Sequence, residues 1–127
     1  MKNERMFFRC TICGNIVGMI EDAGPSVSCC GQDMSLLVPN TVDAAHEKHV
    51  PVAQRIGDEV VVRVGSVAHP MTEEHHISWI VLAGEGRTHR TALDHTGEPA
   101  VSFCVKDSEP LTVYAYCNLH GLWGAEL

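Results

Sequence analysis

Leu111-Thr112-Val113-Tyr114-Ala115-Tyr116-Cys117-Asn118-Leu119-His120 is the stretch on which the fold turns. From Leu111 to Tyr116 the residues are β-branched, aromatic or small and apolar, with Pro110 before them, which is the composition of a strand. The strand runs directly into Cys117-Asn118-Leu119-His120, a C-x2-H loop that places two metal-ligating side chains close together. Similar runs lie upstream. Glu59-Val60-Val61-Val62-Arg63-Val64 ends at Gly65, His75 to Leu82 ends at Ala83-Gly84, and Ala100 to Val105 stops before charged residues. Val50 to Gln54 and Arg87 to Leu93 are shorter candidates. Thr41 to Lys48 is the one helix-like piece, with Thr41 or Asp43 as its cap. Several short strands at this spacing predict an antiparallel sandwich.

The chain has 127 residues, enough for one ordinary domain or a small domain with a stapled appendage. Hydrophobic residues at 45% and charged residues at 20% exclude disorder. The net charge of −7 argues against nucleic acid or an anionic membrane surface as partner. The longest mostly apolar run, Ile77 to Gly84, is far below the roughly 18 residues of a membrane helix. The N-terminal MKNERMFFRC contains no apolar segment of signal-peptide length, so a cytoplasmic location is expected.

Six cysteines and eight histidines are the compositional anomaly. Reduced thiols clustered in a cytoplasmic protein point to metal rather than to disulfides. Cys10, Cys13, Cys29 and Cys30 fall in the first 30 residues, whereas the histidines run from His46 onward. Leu37-Val38-Pro39-Asn40 lies between the two sets and carries a turn signal. Residues 1–37 are therefore expected to form a Cys-rich module, too small to fold on burial alone, and residues 38–127 a His-rich domain. In the module, Cys10-Thr11-Ile12-Cys13-Gly14 is a C-x2-C knuckle followed by adjacent Cys29-Cys30-Gly31. Four thiolates suit tetrahedral zinc or iron. Adjacent ligands reach one ion only where the backbone kinks.

The second set is His49, His69, His75, Cys117 and His120. Four imidazoles and a thiolate exceed the four ligands of a structural zinc site. Five protein ligands suit iron with one octahedral position open, and a redox ion with a thiolate ligand suggests electron transfer to a small oxygen species. His76, next to His75, is expected on the opposite strand face. His46, His89 and His95 stand in polar segments and are expected to be exposed. Cys104, between Phe103 and Val105, reads as a buried inert thiol. Met34 and Met71 read as core fillers, and Trp79 and Trp123 as core side chains able to shield the site.

The motifs then converge on a family. The chain resembles desulfoferrodoxin, the two-iron class of superoxide reductase, over nearly its whole length. The resemblance rests on C-x2-C-G-N-I-V at Cys10 to Val17, C-C-G-Q-x-M at Cys29 to Met34 and H-E-K-H-V-P at His46 to Pro51. It also rests on V-G-S-V-x-H-P-M at Val64 to Met71 and Y-C-N-L-H-G-x-W at Tyr116 to Trp123. It implies a mainly β architecture, with a small metal-stapled desulforedoxin-like module followed by a seven-stranded immunoglobulin-like β-sandwich that is neelaredoxin-like. It implies two Fe ions. Cys10, Cys13, Cys29 and Cys30 would hold the first; His49, His69, His75 and His120 would be equatorial and Cys117 axial at the second. Glu47 would take the sixth position in the oxidised resting state, and Lys48 would lie beside the open position in the reduced state. His76 stands where the family often carries Tyr.

The resemblance also implies an activity: one-electron reduction of superoxide, with two protons, to hydrogen peroxide. Lys48 would attract the anion and hold a proton-delivering water, although Glu47-Lys48 also reads as a solvated charged pair. A rubredoxin donor and a homodimer are further implications. The competing readings are a superoxide dismutase, a two-iron electron-transfer protein without superoxide catalysis, and a structural zinc-binding interaction module.

Overall fold

The computed structural model describes residues 1–127, in two compact units: Arg5–Val38, and Met1–Glu4 together with Pro39–Leu127. The smaller unit has five short strands: β1 (Phe7–Arg9), β2 (Ile16–Gly18), β3 (Ser28–Cys29), β4 (Gln32–Asp33) and β5 (Ser35–Leu36). β1 lies between β2 and β5 in an antiparallel sheet, and β3 pairs with β4 as a hairpin. Its buried apolar side chains are only Phe7, Cys10 and Met34. A core that small leaves the fold dependent on a cross-link among its polar and thiol groups.

The larger unit opens with a single helical turn, α1 (His46–His49). The longer helix expected from Thr41 to Lys48 does not form. Asn40 is fastened to the last strand, accepting from Gly124 N–H (2.9 Å) and donating to the Gly124 carbonyl (3.1 Å). At the other end Val50 precedes Pro51 and is extended, as a residue before proline prefers. Ala45 occupies the N-cap without a side-chain cap bond, so neither Thr41 nor Asp43 caps the turn.

Seven strands follow: β6 (Pro51–Ile56), β7 (Glu59–Val64), β8 (Ile77–Gly84), β9 (Arg87–Ala92), β10 (Ala100–Cys104), β11 (Thr112–Cys117) and β12 (Gly121–Glu126). They form two antiparallel sheets, β10-β7-β6 and β12-β11-β8-β9. Alternation selects the core. Val60, Val62 and Val64 of the first sheet meet Ile80 and Leu82 of β8 and Val113, Ala115 and Cys117 of β11. β11, the strand that leads into the C-x2-H loop, is buried along its whole length.

Three expectations need correction here. Cys104 is exposed, not buried. Phe103 and Val105 both point into the core, so period two turns the residue between them to solvent. His89 and His95 are half-buried rather than exposed; alternation along β9 turns His89 inward to Phe103 (ring centroids 6.0 Å apart). Residues Met1–Glu4 also pack with the larger unit. There Thr112 Oγ1 donates to the Lys2 carbonyl and Asn3 Nδ2 donates to the Pro110 carbonyl (2.8 Å).

Candidate metal centres

In the smaller unit the sequence Cys29-Cys30-Gly31-Gln32 closes the β3–β4 hairpin. Cys29 pairs with Gln32, leaving Cys30 and Gly31 as a two-residue loop with φ of +53° and +77°. Positive φ at both loop positions is what a type I′ hairpin requires. This is the kink that lets two neighbouring cysteines face one point. The Sγ atoms of Cys10, Cys13, Cys29 and Cys30 all lie within 4.8 Å of one another, with Cys13 and Cys29 at 3.7 Å and Cys29 and Cys30 at 4.0 Å. Backbone amides point at the sulfurs. Cys13 N–H donates to Cys10 Sγ and Asn15 N–H to Cys13 Sγ, both at 3.4 Å.

The thiols do not share their acidity evenly. The Cys13 N–H helps to hold the Cys10 thiol down at about 6, whereas Cys30, crowded first by Cys13 and then by Cys10 and Cys29, is pushed up to about 12. Four thiolates in so small a space repel, and a bound cation is what allows all of them to ionise. The donor set fits iron or zinc.

In the larger unit five ligands arrive from four separate places. His49 ends α1. His69 follows β7 through a turn in which its N–H donates to the Val64 carbonyl (2.8 Å). Cys117 ends β11, and His120 lies in the loop to β12, its N–H donating to Cys117 Sγ (3.4 Å). His75 precedes β8, and its placement depends on a bulge. β8 pairs with β11 in register from Ala83 to Trp79, and the register then shifts so that Cys117 faces Ile77. Unbroken alternation from Leu82 and Ile80 would send the side chain of His76 inward. The extra residue reverses the phase, turning Ile77 into the core and His75 to the cluster.

The ligand atoms of His49, His69, His75 and Cys117 lie within 4.8 Å of one another. His120 joins them through Nδ1, which is 3.1 Å from His49 Nε2 and 3.8 Å from Cys117 Sγ. The hydrogen bonding fixes the tautomers. His49 Nδ1–H donates to the Ala45 carbonyl and His69 Nδ1–H to the Pro70 carbonyl, each at 2.7 Å. A carbonyl only accepts, so the protons reside on Nδ1 and both Nε2 atoms present bare lone pairs. Those two lone pairs face each other at 3.2 Å. His75 Nε2 is buried without any hydrogen-bond partner. Burial lowers the proton affinity of all three rings, holding His69 down at about 4, so a second proton is a poor remedy. A cation satisfies all of these lone pairs at once, and ligation by imidazole nitrogens with one sulfur suits iron.

Trp123, fully buried, braces the cluster. Its ring centroid is 4.9 Å from that of His49, and its Nε1–H donates to the His120 carbonyl (3.1 Å). Glu47 and Lys48 stand exposed on α1 and are not members of the cluster, although the Lys48 charge bears on both His49 and His75. Trp79 lies instead on the outer face, stacked on Tyr116 (5.4 Å, 7°).

Three contributors were not legible in the sequence. Thr72 Oγ1 accepts from His75 N–H (3.0 Å), fixing the backbone beside a ligand. Asn118 Oδ1 accepts from His76 N–H (2.8 Å), tying the cysteine loop to the histidine strand. Gly65 packs against the α1 backbone so closely that a Cβ would lie 2.6 Å from the Glu47 carbonyl oxygen. The asparagine inside C-x2-H was the available hint, since Asx side chains habitually bond to nearby backbone.

Comparison with known proteins agrees with both clusters. The family model described as desulfoferrodoxin matches residues 41–126, and that of the desulfoferrodoxin N-terminal domain matches residues 2–37. A desulfoferrodoxin of Syntrophotalea carbinolica is 48% identical over 126 residues, 99% of each chain. The crystal structure of the superoxide reductase from Treponema pallidum superposes with a TM-score of 0.79 at 42% identity, covering 96% of this chain and 98% of that one. The superoxide reductase (1Fe-SOR) from Giardia intestinalis, at 40% identity and a TM-score of 0.57, covers 64% of this chain and 97% of its own.

Proposed function

The chain belongs to the desulfoferrodoxin family, and we propose that it is a superoxide reductase, converting superoxide with one electron and two protons to hydrogen peroxide. The observation that carries this reading is the convergence of four imidazoles and one thiol on a single point. Cys10, Cys13, Cys29 and Cys30 are assigned to the first iron, and His49, His69, His75, His120 and Cys117 to the second. When bound there, the second iron supplies the electron.

The protein's own groups do the rest. An imidazole ligand brings no negative charge, so among the five Cys117 contributes the only one and the site keeps a positive character that favours an anion. Lys48 adds a second positive charge at the exposed turn, which matters in a chain of net charge −7. We assign Lys48 to steering superoxide inward and to holding a water that passes on a proton. Glu47, on the same turn, is assigned to cap the open ligand position in the oxidised protein. Trp123 keeps bulk water from the inner side of the His49 ring. A rubredoxin-type donor, a cytoplasmic setting and a homodimer complete the proposal. Free thiols support the setting, and no helix is long and apolar enough to cross a membrane.

Single-turnover mixing of the fully reduced protein with superoxide tests the reading. The second iron should be oxidised rapidly, with one equivalent of superoxide consumed per site, while the first centre remains reduced on that timescale. A reduced protein that ignores superoxide would make it an electron carrier.

A further inference from the structure

We propose a third cation site, on the surface of the larger unit, formed by the pair His76 and His95 beside Asp94 and suited to a borderline divalent transition cation such as Ni2+, Cu2+ or Zn2+. Beyond the last β8–β9 pair, Trp79 with Ala92, the two chains stay joined by Leu93 N–H donating to the Ser78 carbonyl (2.9 Å). That continuation brings His76 and His95 across from each other, their ring centroids 6.1 Å apart and the planes inclined at 35°. The spacing falls within the range already present among the clustered ligands, where the His49 and His75 rings are 6.3 Å apart. The rings line an open hollow with Asp94 and Leu93.

The tautomer of His76 suits a ligand. Its Nδ1–H donates to the Thr72 carbonyl (2.9 Å), which leaves the Nε2 lone pair bare. His49 and His69 are prepared in the same way, each through Nδ1–H to a backbone carbonyl. Such an outer hydrogen bond fixes the tautomer and raises the basicity of the ligating nitrogen. Asp94 adds negative charge to the same hollow: its Oδ1 accepts from Thr96 N–H and Thr96 Oγ1, both at 2.9 Å, which holds its carboxyl below the ordinary range and fixes the turn carrying His95. The site is independent of the two iron clusters in its ligands. It is linked to the second through the backbone, since Asn118, which accepts from His76 N–H, follows Cys117.

The test is calorimetric titration of the iron-loaded protein with Ni2+ near neutral pH, with the iron absorption bands recorded alongside. One saturable equivalent should bind while the bands persist. His76→Ala and His95→Ala should each weaken that binding by about tenfold or more, and His89→Ala should leave it unchanged. Absence of saturable Ni2+ binding to the wild-type protein, or its survival in the His76→Ala/His95→Ala double variant with iron bands intact, would overturn the assignment.

Discussion

At the residue scale the second centre depends on where protons are not. His49 and His69 donate their Nδ1–H groups to backbone carbonyls, so their Nε2 lone pairs face each other, open to a cation. Cys117 is the one ligand that brings negative charge, and burial pushes its thiol pKa up in the metal-free chain. Ionisation of that thiol is therefore coupled to metal binding. Cys117→Ser should keep the circular dichroism of the sandwich but abolish the thiolate-to-iron absorption band and lower activity by about a hundredfold or more. Retention of band and activity would remove Cys117 from the site. Lys48→Ala should slow superoxide capture by about tenfold at low salt and flatten its dependence on ionic strength; an unchanged low-salt rate would assign the lysine to solvent. The ligand residues were legible in the sequence because histidine and cysteine are rare and their spacing is conspicuous. The burial of His89 and the exposure of Cys104 were not, because local polarity and apolar neighbours say less than strand phase does.

At the scale of elements, the strands were legible because their alternation is written in single residues. Glu59–Val64 has the predicted limits and the other five expected strands shift by one or two positions, whereas β12 and the short strands of the smaller unit were not expected. The bulge in β8 was not legible. It arises from pairing with β11, a partner distant in sequence, yet it selects His75 over His76 for the cluster. The helix was overestimated for a similar reason: Asn40 binds the β12 edge and Pro51 begins β6, leaving room for one turn. That turn is held from below. Val67 N–H donates to the Glu47 carbonyl (2.9 Å), and Gly65 fits beneath the same oxygen. Gly65→Ala places a methyl group 2.6 Å from that backbone atom, so α1 must move. Iron at the second centre should then bind at least about tenfold more weakly, as read by metal analysis after dialysis, while the Cys-rich module keeps its own iron. Full occupancy of both centres would show that α1 tolerates displacement.

At the scale of the whole molecule, each of two units carries one cluster. Cys13→Ser should remove the first centre's absorption and leave fast superoxide reaction at the second; loss of the second iron as well would mean that the units are not independent. Acid should act through the histidines of the metal-free protein. His69 titrates at about 4 when folded, below its ordinary value near 6.5, and His49 and His75 shift the same way. Above about pH 6.5 neither state binds these protons and the effect vanishes. As pH falls toward about 4 the unfolded chain takes up protons that the native rings refuse, so stability declines across that window. Thermal melts of the iron-free protein should show this decline, and His69→Phe should shallow it; identical slopes would exclude His69 as a contributor.

The central claim is that the five converging side chains make this chain a reductase of superoxide. Quantifying hydrogen peroxide and dioxygen together, under a continuous superoxide flux with excess electron donor, tests it most directly. One peroxide should form for each superoxide consumed, and no dioxygen. Half that peroxide yield, accompanied by dioxygen, would contradict it and make the protein a dismutase.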